Sequence, residues 1–62
     1  MFLRRVERHL RLFDVPPARF GVEAMRDPRF VFDLRNGREP RERTVVRVEA
    51  YIARIEAERG AA

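Results

Sequence analysis

The chain contains no cysteine, no lysine, no serine and no tryptophan, and it has a single histidine, His9. Without cysteine there is no disulfide framework and no thiolate metal site, so 62 residues must cohere by apolar packing or by association with a partner. The same absence fits a reducing, intracellular setting. Thr44 and Tyr51 are the only hydroxyls, and no nucleophile, base and orienter can be assembled from them and His9. A catalytic role is therefore not expected, and neither is a cofactor, a metal or a small-molecule substrate. A chain near 60 residues buries only about 60% of the surface its unfolded form exposes, which leaves little room for an enclosed substrate cavity. The three glycines, Gly21, Gly37 and Gly60, stand apart and make no phosphate-cradling loop.

Long apolar runs are missing as well. Uncharged stretches such as Val15–Ala18 and Thr44–Val46 fall far short of the roughly 20 apolar residues that span a bilayer. Near the amino terminus Glu7, Arg8 and Arg11 interrupt what a signal peptide would need as its apolar stretch. The expectation is a soluble, cytoplasmic protein with no membrane partner.

What is abundant is arginine. All fourteen basic residues are arginine against ten acids, for a formal net charge of +4. Guanidinium forks bidentately onto phosphate and guanine, which suits nucleic acid. A GC-rich genome, whose codons favour arginine over lysine, produces the same bias.

Apolar spacing predicts an all-α chain of four helices, near 2–13, 17–25, 28–35 and 42–59, forming one compact domain over 1–62. In the first, Leu3, Val6, Leu10 and Phe13 repeat at three, four and three, the stripe of an amphipathic helix. Pro16 and Pro17 end it and begin the second, whose inner face carries Phe20 and Ala24. Gly21, in the middle of that helix at a cost of about 1 kcal/mol against alanine, implies a close neighbour. Asp27 followed by Pro28 is a cap and first-turn signal for the third helix. Asn36 and Gly37 can take the left-handed conformation that ends it, and Pro40 comes soon after. Phe30, Val31 and Leu34 form its inner face; Arg29, Phe32, Asp33 and Asn36 fall opposite. The last helix shows the clearest stripe, Val45, Val48, Ile52 and Ile55, and ends at Gly60, with Ala61 and Ala62 expected to fray. His9 is expected on the surface, and Glu7, Glu23, Glu49, Glu56 and Glu58 are expected on solvated helix faces.

Two short helices joined by a tight turn, the second displaying polar residues, have the layout of a helix-turn-helix, whose second helix enters the major groove. The run Phe20, Gly21, Ala24, Asp27, Pro28, Phe30, Val31, Leu34, Asn36, Gly37, Arg38, Pro40, Thr44 and Val48 resembles small helix-turn-helix proteins of the lambda-repressor-like class. It is also similar to short alphaproteobacterial proteins of the same layout. Ala24, Leu34, Gly37, Pro40 and the long last helix come in the family's order, while the alanine-to-glycine interval is shorter and Arg26, Asp27 and Pro28 replace its Gly-Val-Ser turn.

The resemblance implies sequence-specific binding of double-stranded DNA, in a small transcriptional regulator that reads the groove with its third helix. Arg29 would reach a guanine edge or a phosphate, and Asn36 would read adenine or hold the backbone. Phe32 would meet a thymine methyl, or pack against the first helix or a second subunit, the commoner fate of phenylalanine. Asp33 would accept from cytosine or orient Arg29. Arg35, Arg38, Arg41 and Arg43 would complete the surface, the last three gripping phosphates. Charge is distributed accordingly: residues 26–43 carry a surplus of two positive charges, residues 1–13 a surplus of three, and residues 44–62 none. A reader this small gains affinity by pairing on a two-fold site, so a homodimer is expected, through Phe2, Phe32 or the last helix with Tyr51 and Ile55. The alternative is a helical protein-protein interaction module, with arginines that only keep it soluble.

Overall fold

The computed structural model describes residues 2–60; the expected fraying of Ala61 and Ala62 lies outside them. Four helices occur in order: α1 (Phe2–Phe13), α2 (Pro17–Met25), α3 (Phe30–Arg35) and α4 (Glu42–Arg59). Among the described residues there is no strand, and no helix is long and apolar enough to cross a membrane. The Cα radius of gyration of 10.9 Å is close to the value of about 10.6 Å expected for a compact chain of this length.

Each helix end has a local cause. Asp14 takes a left-handed conformation after α1, with φ 53°, and the Val15 amide donates back to the Leu10 carbonyl at 3.0 Å. Pro16 and Pro17 start α2, where proline's missing amide hydrogen is no loss. At the far end of α2 the left-handed residue is Arg26, with φ 55°. Its amide donates to Val22 at 2.9 Å, and the next amide, of Asp27, donates to Gly21 at 3.0 Å. The chain is thereby folded back across the last turn of α2.

This turn explains Gly21. A Cβ at residue 21 would collide with the Asp27 carbonyl oxygen and stand 3.2 Å from the Asp27 carbonyl carbon and 3.3 Å from the Phe30 Cβ. The close neighbour implied by the sequence is thus the backbone of the turn after α2. Asp27 instead closes a turn ahead of α3, its Oδ1 accepting the Arg29 amide at 2.9 Å and its carbonyl accepting the Phe30 amide at 3.1 Å, while Arg29 takes the cap position without a side-chain capping bond. Because Pro28 and Arg29 complete this turn, α3 begins at Phe30 rather than at the predicted Pro28. At its end Gly37, with φ 97°, takes the left-handed position, while Asn36 stays at φ −87°.

The core takes Val6 and Leu10 of α1, Phe20 and Ala24 of α2, Phe30, Val31 and Leu34 of α3, and Val48 and Ile52 of α4, while the outer members of the predicted stripes, Leu3, Phe13, Val45 and Ile55, are only half-buried. Each fully buried valine, isoleucine or phenylalanine contributes about 1.5–3 kcal/mol. Phe2 packs edge-on against Phe30 with ring centroids 6.5 Å apart, and Tyr51 packs edge-on against Phe20 at 5.7 Å. The Tyr51 hydroxyl also donates to Glu23 at 3.1 Å, tying α4 to α2; burial and this bond push its pKa up.

His9 departs from expectation. It lies in the core, 1% exposed, between the rings of Phe13 at 5.0 Å and Phe20 at 5.4 Å. Its Nδ1–H donates to the half-buried Glu56 carboxylate at 3.1 Å, so both the surface histidine and the merely solvated Glu56 are corrected. The physical reason is periodicity: residue 9 falls three after Val6 and four before Phe13, inside the apolar stripe. Its one polar bond makes that burial tolerable.

Gly21→Ala gains about 1 kcal/mol of helix propensity but must displace backbone, so a net loss of about 1–2 kcal/mol is expected by thermal unfolding. Arg26→Gly, which relieves a left-handed arginine, raises stability by about 0.5–1 kcal/mol in the same assay. For the core histidine, His9→Ala lowers stability by about 2–4 kcal/mol through the cavity it leaves. Glu56→Gln, which keeps an acceptor beside Nδ1, costs less than about 1 kcal/mol in urea titrations.

Candidate nucleic-acid interface

With Phe30, Val31 and Leu34 turned inward, the opposite side of the α2–α3 unit faces solvent. Arg29, Phe32, Asp33 and Asn36 recur at three, four and seven positions and so lie on one side of α3. Arg29 immediately precedes the helix and is exposed, with its side chain in no ion pair among the described residues. Phe32 is 43% exposed, and its ring lies 5.7 Å from the Arg35 guanidinium. Asn36 is exposed at the helix end, where its amide donates to the Phe32 and Asp33 carbonyls at 3.1 Å.

Two of the predicted arginines are already engaged. Arg35 donates through Nε and Nη2 to the two Glu7 oxygens at 2.7 and 2.8 Å, a bidentate bridge from α3 to α1. That hydrogen bond holds the Glu7 carboxyl below its ordinary range; the charges of Arg35 and Arg11 assist, and partial burial opposes. Arg38 donates to Asp33 at 3.1 Å. Asp33, expected to accept from cytosine or to orient Arg29, is paired with Arg38 of the following loop and not with Arg29.

Arg41 and Arg43 are exposed at the start of α4 and make no ion pair among the described residues. Arg38 and Arg41 line a shallow groove together with two acids, Asp27 and Glu39, and with Phe30, Leu34 and Pro40. Phe32 is thus exposed on α3 between the exposed Arg29 and Asn36 at its two ends, Arg38 and Arg41 line one groove, and Arg43 is exposed in the first turn of α4.

Of the predicted dimer contacts, Phe2 and Tyr51 are used within the subunit and Ile55 is half-buried, leaving Phe32 as the exposed aromatic. The expectation of a merely solvated Glu7 missed its role, because residues 7 and 35 are 28 positions apart and no local spacing links them. No group of three or more histidine, aspartate or glutamate side chains is placed to hold a metal ion among the described residues.

The Arg35–Glu7 bridge gives a pH-dependent expectation. A carboxyl with a depressed pKa contributes stability above its unfolded pKa of about 4.3 and loses it as pH falls through the lower folded value. Glu7→Gln therefore lowers stability near neutrality by at most about 1 kcal/mol, since the pair is partly solvated. The difference between wild type and variant disappears in acid, as urea titrations at several pH values will read out.

No family model matches the chain, and no curated protein or solved structure is similar to it.

Proposed function

We propose that the chain is a small DNA-binding protein, a transcriptional regulator that reads the major groove with α3. The α2–turn–α3 unit serves as the helix-turn-helix, in keeping with the resemblance to the lambda-repressor-like class. The observation that carries the reading is the exposure of Phe32 on α3 and of Arg29 and Asn36 at its two ends, while Phe30, Val31 and Leu34 anchor the helix in the core. Arginine is suited to guanine O6 and N7, asparagine to adenine N6 and N7, and an aromatic edge to a thymine methyl. Arg41 and Arg43, unpaired at the start of α4, supply phosphate contacts that fix register without reading sequence. The Arg38–Asp33 pair supports this, because a free carboxylate there would repel the backbone. A homodimer on a two-fold site completes the reading, since one six-residue helix meets few base pairs.

A second reading has an observation of its own. Arg35 and Arg38 are matched by carboxylates, and Phe32 offers an exposed aromatic edge, as a helical protein-protein interaction module would. Salt separates the two: phosphate contacts make binding fall steeply and linearly with log salt, and an apolar interface does not.

Selection from a random duplex library with subsequent mobility shifts tests the DNA reading. An enriched motif is expected, with Arg29→Ala or Asn36→Ala each weakening the selected site about 5- to 100-fold and relaxing preference at one base pair. Recovery of no motif, or binding indifferent to both variants, contradicts it.

A further inference from the structure

The outward side of α1 carries charge that the reading above leaves unused. Arg4, Arg8 and Arg11 are exposed and recur at four and three positions, so they form one row along the helix, with Arg5 flanking it. The four side chains line a common shallow depression. The row lies opposite the buried Val6, His9 and Leu10, so the core does not need it.

Elsewhere four of the ten arginines are matched. Arg19 pairs with Glu23, Arg35 with Glu7, Arg38 with Asp33 and Arg54 with Glu58. None of the four α1 arginines forms an ion pair among the described residues, and Glu7, the one acid of α1, has both its oxygens on Arg35. Like charges at this spacing destabilise a helix by a few tenths of a kcal/mol per pair, so the row opposes folding unless something outside the chain neutralises it.

The row is also continuous with α3. Glu7 is three residues after Arg4 and four before Arg11, so it borders the row on the helix surface. Through Glu7 the row meets Arg35, and the Arg35 guanidinium lies over Phe32 on the exposed side of α3. From Arg4 to Arg11 the row is about 10 Å long.

We infer that Arg4, Arg8 and Arg11, with Arg5 beside them, form a sequence-independent clamp on the phosphate backbone of double-stranded DNA, flanking the groove that α3 enters. This rests on the DNA-binding reading and adds a second contact surface, which supplies affinity while α3 supplies selectivity. Three phosphate contacts account for a log-log salt slope of about −3.

The test compares wild type, R4Q/R8Q/R11Q and R29A/N36A on a random-sequence duplex and on a selected site, at salt concentrations from about 50 to about 200 mM. All three substituted arginines are exposed, so the triple variant keeps its helical circular dichroism. It is expected to lose at least about tenfold in affinity for both duplexes and to flatten the salt slope by about 3, with the ratio between the two sites unchanged. R29A/N36A is expected to lose that ratio and keep most of the slope. A triple variant with wild-type affinity and slope overturns the clamp and leaves the α3 reading standing. A triple variant that has lost both affinity and its helical signal is replaced by R4K/R8K/R11K, which must retain the wild-type slope or the clamp fails. Wild type that binds no duplex at the lowest salt overturns both readings. Tighter binding to phosphatidylserine vesicles than to duplex overturns the clamp in favour of a membrane surface.

Discussion

At residue 21 the backbone of α2 and the carbonyl of Asp27 approach so closely that only a hydrogen fits between them. This approach results from the left-handed Arg26, which folds the chain back so that the Asp27 amide reaches the Gly21 carbonyl. Lengthening it would lift Phe30 away from α2 and loosen the seat of Val31 and Leu34 in the core. The face that α3 shows to solvent is the complement of the face so held. The position of Arg29, Phe32 and Asn36 is thus a consequence of a backbone contact that none of them makes.

Electrostatics then sorts the arginines. Where an acid lies within reach the guanidinium is matched, as in the forked Arg35–Glu7 bridge, which also joins α1 to α3. Elsewhere the nearby acids are taken by other arginines, Glu7 by Arg35 and Asp33 by Arg38, and positive charge is left on the surface along α1, before α3 and at the start of α4. Glu7 gives up neutralising its own helix to make the bridge. One ion pair therefore both ties two elements together and leaves the α1 arginines without a hydrogen-bonded acid among the described residues. In a partly solvated pair the stabilisation is small, so its main effect is on where free positive charge appears.

Much of the fold is legible in the sequence because its signals are local. Proline pairs, an Asp-Pro cap, Asn-Gly and the stripe from Val45 to Ile55 fix helix ends and inner faces within a few residues of chain. The tertiary pairings are not legible. His9 reads as a surface residue when its polarity is weighed above its place between Val6 and Phe13, and the acceptor that makes its burial possible, Glu56, lies on another helix. Glu7 and Arg35 meet across the chain in the same way. The start of α3 moves from Pro28 to Phe30 because the Asp27 side chain closes a turn over Pro28 and Arg29 before the helix begins. For the candidate interface, spacing alone puts Arg29, Phe32 and Asn36 together. It does not reveal that Arg35 and Arg38 are already partnered or that the unpaired row lies on α1.

The central claim, that α3 and the α1 arginine row together meet duplex DNA, is tested most directly by titrating the nitrogen-15-labelled protein with a short duplex and tracking amide shifts by NMR. The account predicts perturbations confined to residues 4–11, to residues 29–38 and to Arg41 and Arg43, with the second half of α4 unmoved. Shifts concentrated on α4, or no saturable shifts at low salt, would contradict it.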